Sequence, residues 1–115
     1  MGVRVNWFEI PGRDVDTLAA FYERMLGTRL GRMDGPAGPM RTFLAGEMPV
    51  GAIVNGESVT GGTVIYLAVE DVGQALAEAA AMEGEVLLGR TEIGPFGTIG
   101  RLRDPAGNVV AVHGS

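Results

Sequence analysis

Cysteine is absent from the 115 residues, which removes disulfides, thiolate metal sites and cysteine nucleophiles together. Histidine occurs once, at His113, and tryptophan once, at Trp7. A lone histidine with no cysteine to activate excludes a Cys–His pair. Basic charge is also short: nine Lys and Arg face fourteen Asp and Glu, for a net charge of -5 and a pI near 4.7. A face that neutralises phosphates needs the opposite balance, so no nucleic-acid partner is expected. Long apolar runs are missing. Stretches such as Val64 to Val69 fall far below the roughly 20 residues of a bilayer span, so no membrane partner is expected. The opening Met1-Gly2-Val3-Arg4-Val5-Asn6 lacks the positive-then-apolar pattern of a signal peptide, and a cytoplasmic location is expected. Disorder needs low hydrophobicity with high net charge, whereas 46% of this chain is hydrophobic and 20% charged.

Glycine is what the chain has in excess. Nineteen glycines and six prolines cluster at Gly35-Pro36-Ala37-Gly38-Pro39, Gly61-Gly62, Gly94-Pro95-Phe96-Gly97 and Pro105-Ala106-Gly107. The clusters separate short β-forming runs, as turns do in hairpins. Strands are expected near 3–10, 28–33, 40–45, 50–55, 63–69, 85–89, 97–103 and 108–113. Two stretches carry helical period instead. Asp14 to Leu26 sets Val15, Leu18, Tyr22 and Met25 on one face behind an N-cap Asp. Asp71 to Met82 repeats the device with Val72, Ala75, Leu76, Ala79 and Met82 inward, and Asp71 and Gln74 have capping-box spacing. Gly27 and Gly84 stand where a left-handed residue would end each helix.

The halves also run in step. An offset of 57 relates Asp14 to Asp71, Val15 to Val72, Ala20 to Ala77, Met25 to Met82, Gly27 to Gly84 and Leu30 to Leu87. Further on the register slips to 56, where Pro49-Val50-Gly51 answers Pro105-Ala106-Gly107. The pattern predicts an α+β fold of two βαβββ repeats, about 3–57 and 63–114, within one domain, 1–115. The repeats are expected to form a cupped mixed or antiparallel sheet with the helices outside and a ligand cleft within.

Three motifs carry a family resemblance. Trp7-Phe8-Glu9-Ile10-Pro11, then Asp14, Phe21-Tyr22 and Leu26-Gly27, resembles the opening of vicinal-oxygen-chelate proteins, the glyoxalase, bleomycin-resistance and dioxygenase superfamily. Tyr66-Leu67-Ala68-Val69-Glu70-Asp71-Val72 resembles the same opening in the second half. Arg103-Asp104-Pro105-Ala106-Gly107-Asn108 is similar to the DPxGN turn before the last strand. The scaffold hosts isomerases, ring-cleaving dioxygenases, thiol transferases and drug-sequestering proteins, so the resemblance leaves the activity open.

In metal-dependent members the ligands are His or Glu seven residues before each capping Asp and a Glu seven after the Asp of the DPxG turn, with its first-half counterpart. The matching positions here are Trp7, Val64, Ala111, and Val54 or Asn55, depending on the offset. Three of these positions, or all four, cannot ligate, and the one weak oxygen of Asn55 is not a site, so no metal and no cofactor are expected. Strand alternation gathers other groups on the face those positions define. Glu9 is a candidate general base if partly desolvated, and equally a ligand contact or a structural ion pair. Tyr66, its counterpart at the offset of 57, offers a hydroxyl. Trp7 can stack on a planar ligand or fill core. Arg101 and Arg103 can clamp an anionic group or answer Glu9, and Arg41, Phe43 and His113 complete the candidate ligand contacts.

Glycine-rich Gly94 to Gly100 does not fit a nucleotide loop, and Gly56-Glu57-Ser58-Val59 is no nucleophile elbow. The reading that follows is a metal-independent binder of a small organic molecule, cationic or neutral by charge steering, and a homodimer by resemblance. The alternatives are an isomerase or lyase with Glu9 as base and Tyr66 or an arginine stabilising negative charge, or a non-catalytic structural or regulatory subunit.

Overall fold

The computed structural model describes residues 2–56 and 62–115; the Glu57-Ser58-Val59 portion of the excluded nucleophile elbow, and Gly61, lie outside them. The described chain forms eight strands, two α-helices and one 3-10 turn, an α+β fold. It divides into two compact units, one of Trp7–Thr63, the other of Val64–Ser115 with the segment up to Asn6. No helix among the described residues is long and apolar enough to cross a membrane.

The first unit runs β1 (Val5–Gly12, from Trp7 onward), α1 (Val15–Leu26), β2 (Gly31–Gly35), β3 (Gly38–Ala45) and β4 (Met48–Asn55). Strand order is β2-β3-β4-β1. The consecutive strands form the expected antiparallel meander, and β1 joins it parallel to β4. The first hairpin turns within the expected glycine and proline cluster, where Gly35 faces Gly38 across Pro36-Ala37. In the second, Ala45 faces Met48 across Gly46-Glu47. Asp14 caps α1, its Oδ1 accepting from the Thr17 amide at 3.0 Å, and Gly27 ends the helix at φ 70°. β2 begins three residues later than expected, because the Leu30 amide is drawn to the Glu23 carboxylate at 2.8 Å.

Helix α1 covers one face of this sheet. Ala19, Leu30 and Ile53 are buried there, with Ile10, Val15, Leu18, Tyr22 and Phe43 packed around them. Ala19, rather than Met25, takes the centre of the helix stripe, and Met25 stays 59% exposed. Phe43 links Phe8 and Tyr22, with ring centroids 5.2 and 5.5 Å away. Gly51 makes that cluster possible: a Cβ there would stand 2.5 Å from two carbons of the Phe8 ring.

The second unit runs β5 (Val64–Ala68), α2 (Val72–Ala81), β6 (Glu85–Glu92), a 3-10 turn at Gly94–Phe96, β7 (Thr98–Arg103) and β8 (Val109–Gly114). Strand order is β5-β8-β7-β6, with β5 parallel to β8 and the others antiparallel. Asp71 caps α2 through the Gln74 amide at 3.0 Å, one half of the expected capping box. Val72, Leu76, Leu102 and Val112 form its core. Gly100 admits the helix, since a Cβ there would meet a Leu76 methyl at 2.7 Å.

Two expectations for α2 need correction. Met82 lies beyond the helix and is 72% exposed, so it is no core residue. The left-handed residue is Glu83, at φ 70°, not Gly84. Gly84 serves a different need: its amide donates to the Ala79 carbonyl at 2.8 Å, and a Cβ would crowd that same oxygen.

Candidate functional site

Strand register decides which side chains can share a face. In the first unit Glu9, Ala52, Thr42 and Gly31 are successive Cα partners across β1, β4, β3 and β2. In the second unit the same row reads Tyr66, Ala111, Arg101 and Leu88 across β5, β8, β7 and β6. Both rows lie opposite the helix, because their neighbours Ile10, Ile53, Leu102 and Val112 are the ones packed in the cores. The first-half counterpart of Ala111 is therefore Ala52, at an offset of 59, and neither Val54 nor Asn55. A β-bulge between Phe43 and Leu44 accompanies the drift.

That correction moves two candidates. Thr42, not Arg41 or Phe43, stands where Arg101 stands, and a one-residue difference exchanges the faces of a sheet. Phe43 belongs to the aromatic core under α1. Arg41 is 7% exposed, with its guanidinium turned to the helix. Its Nε donates to the Gly31 carbonyl at 3.1 Å and Nη1 to Asp16 at 3.1 Å. Nη2 donates to Glu23 at 2.9 Å and to the Leu30 carbonyl at 3.2 Å. Four of its five N–H groups are thus used inside the unit. The Glu23 carboxyl is held below its ordinary value, first by the Leu30 amide and then by Arg41 and Arg29.

The remaining candidates do lie on helix-free faces. In the first unit the Trp7 indole N–H donates to Glu9 Oε2 at 3.2 Å, which orients the carboxylate. In the second unit Arg101 Nη2 donates to the Tyr66 hydroxyl at 3.1 Å, and Tyr66 is only 4% exposed. Arg103 shares that face but reaches the edge strand, where Nη1 meets Glu85 at 3.0 Å in a largely exposed pair. Such a pair contributes little.

His113, on the same face, bonds through Nε2 to the Phe96 carbonyl, and its Nδ1 lies 2.9 Å from the Asn6 amide nitrogen. An Nε2–H tautomer satisfies both contacts, with Asn6 donating to Nδ1. His113 thereby ties the 3-10 turn to the segment before Trp7. Sequence reasoning passed over Asn6, and no motif marks it. The DPxGN turn is built from within: Asp104 accepts from Asn108 through side chain and backbone and from the Ala106 amide, which lowers its carboxyl below the usual range.

A model of the Glyoxalase/Bleomycin resistance protein/Dioxygenase superfamily matches residues 4–112. The chain belongs to that superfamily. No curated protein matches it. Solved structures similar to this superfamily member include a hypothetical protein of Bacillus halodurans C-125. The two are 12% identical over 100% of this chain and 96% of that one, with a TM-score of 0.73. Methylmalonyl-CoA epimerase of Streptomyces coelicolor, solved as a single-substitution variant in complex with 2-nitronate-propionyl-CoA, is 18% identical over 97% and 96%, with a TM-score of 0.65. A protein described as NAD-dependent benzaldehyde dehydrogenase of Legionella pneumophila is 14% identical over 93% and 96%, also at 0.65. At these identities the likeness is one of fold.

The metal positions of the superfamily can be tested directly. Trp7 and Ala52 occupy them in the first unit, Val64 and Ala111 in the second, and none has a donor atom suited to a divalent cation. Among the described residues no three His, Cys, Asp or Glu side chains gather in a metal-holding group. The donor set does not fit the ion, and no chemistry through it is derived.

Proposed function

We propose that the chain binds a small organic molecule without a metal, and that the Tyr66–Arg101 pair on the helix-free face of the second unit is its polar handle. The 3.1 Å bond between the two side chains carries the reading. It fixes a guanidinium and a phenol beside Ala111, at a place where metal-dependent relatives put a ligand. A guanidinium has five N–H groups, and it recognises planar oxygen groups through its fork. The ligand this favours is neutral overall and bears a carbonyl, because the net charge of -5 disfavours anions at long range. Acyl thioesters are a natural first class of probe, since a structural neighbour is a methylmalonyl-CoA epimerase.

The test is a thermal-shift panel of short acyl thioesters of a neutral thiol (N-acetylcysteamine), lactams and small amides, run beside elemental analysis of protein purified without chelator. Hits should raise the melting temperature of the native chain. They should bind roughly tenfold or more weakly to Arg101→Ala, the scale of one lost charge-assisted bond, and more weakly to Tyr66→Phe. Metal well below one per chain is expected. Hits that bind both variants as well as the native chain would place the ligand elsewhere, and stoichiometric metal would refute metal independence.

A further inference from the structure

Helix α1 carries apolar side chains on the side away from its sheet as well. Ala19 marks the inward direction, since it is 0% exposed in the core of the first unit. At about 100° per residue, positions 14, 17, 21 and 24 fall together on the opposite side, with 25 beside them. Phe21 and Met25, one helical turn apart there, are each 59% exposed. Phe21 meets Tyr22 edge-on, with ring centroids 5.1 Å apart, and still leaves most of its surface to solvent. Asp14, Thr17 and Arg24 around them are exposed too. Aromatic side chains, Met and Arg are the types that the cores of protein interfaces favour.

The charges on this face decide what covers it. Asp14 Oδ1 accepts from the Thr17 amide at 3.0 Å, and the carboxylate has no ion-pair partner among the described residues. Arg24 has none among them either. The two charges stand about 15 Å apart along the helix axis. Asp14 and Arg24 are centred on position 19, and so are Thr17 and Phe21. An antiparallel second copy of α1, with a twofold axis at that midpoint, therefore sets Arg24 over the Asp14 of the other copy and Phe21 over its Thr17. Symmetry makes each contact twice. A parallel copy would set like charges side by side.

We propose that two copies of this chain associate through the outward face of α1, antiparallel, with Phe21 and Met25 buried and Arg24 paired to Asp14 across the twofold axis. The 12 residues of α1 make a rod about 18 Å long and 10 Å across. One such pair falls below the roughly 1,200 Å² of a standard interface, and the net charge of -5 on each copy opposes association further. The dimer is therefore a weak one that forms and breaks readily. It shares no residue with the Tyr66–Arg101 pair.

Sedimentation equilibrium of the full chain over a wide concentration range tests this, with a monomer–dimer equilibrium expected at the high end. Phe21→Ala should raise the dimer dissociation constant roughly tenfold or more, the effect of losing a buried aromatic anchor. Phe96→Ala, at an exposed phenylalanine of the second unit, should leave it unchanged. Asp14→Asn keeps a capping residue and should weaken the dimer roughly fivefold, two exposed pairs being lost together. Arg24→Glu alone and Asp14→Lys alone should each weaken it further, because like charges then oppose. An equimolar mixture of those two variants should restore it as a heterodimer, since both pairs regain opposite signs. A monomer at every concentration would overturn the proposal and leave this face to a different protein. So would equal effects of Phe21→Ala and Phe96→Ala, an Asp14→Asn dimer as tight as the native one, or folded charge variants whose mixture stays monomeric.

Discussion

Arg41→Ala is the sharpest test of where the sheet faces lie. If Arg41 were a ligand contact, its removal would cost affinity and little stability. The structure requires the reverse. The guanidinium satisfies the carbonyls of Leu30 and Gly31, and Leu30 is itself buried. Loss of two bonds from a charged donor, each about 1.5–3 kcal/mol net, comes to about 3–6 kcal/mol. The exposed Asp16 contact adds little to this. Against a total stability of about 5–15 kcal/mol, the change is large. Urea denaturation followed by Trp7 fluorescence reads it as a midpoint lowered by roughly 1.5–3 M, given an m-value of about 2 kcal/mol/M for a small domain. Arg41→Lys should recover less than half, because an ammonium on a flexible stem cannot serve four acceptors at fixed angles. A loss under about 0.5 kcal/mol, the range of ordinary surface substitutions, would refute the network and return Arg41 to the list of candidate ligand contacts.

Gly51→Ala should destabilise by about 1–3 kcal/mol through overpacking, because the Phe8 ring occupies the space a methyl needs. Near-ultraviolet circular dichroism should show the Phe8–Phe43–Tyr22 cluster disturbed, and an unchanged spectrum with unchanged stability would contradict the packing. Acid should unfold the chain through Asp14, Glu23 and Asp104, whose folded carboxyls titrate below their ordinary values. A lowered folded value gives stability that is complete above the unfolded value and lost as pH falls through the folded one. The melting temperature should therefore be flat down to about pH 5 and fall below it, and Asp104→Ala should make that fall shallower. A melting temperature that stays flat down to about pH 3 would refute the assignment.

The frame was legible because it is written in local signals. Capping aspartates, a glycine at φ 70° and turn dipeptides act within a few residues, so Asp14, Gly27 and Asp71 could be read directly. Face assignment on β3 could not be read. It depends on where a bulge falls, and nothing in Arg41-Thr42-Phe43-Leu44 signals that the bulge lies after Phe43. The same gap misplaced the counterpart of Ala111. Asn6 and Gly84 were opaque for another reason. Their roles are set by what approaches them, His113 in one case and the Ala79 carbonyl in the other.

The corrected rows also bear on what a metal site would need in this chain. Glu9, Ala52, Thr42 and Gly31 in one unit answer Tyr66, Ala111, Arg101 and Leu88 in the other. The duplicated frame keeps alanine at both second positions and changes everything else in the row. Both alanines are 0% exposed. A carboxylate restored at Ala111 would enter a filled space beside Tyr66 and Arg101, and its first partner would be the guanidinium of Arg101 rather than a cation from solvent. Recovering a metal site therefore needs more than one substitution. It needs Ala111 exchanged, Arg101 removed and a second ligand introduced at Val64, while the row stays packed. On the proposed reading, the arginine beside Ala111 that would oppose an ion is the same group that would hold an organic oxygen, so in this unit the two chemistries would compete for one place.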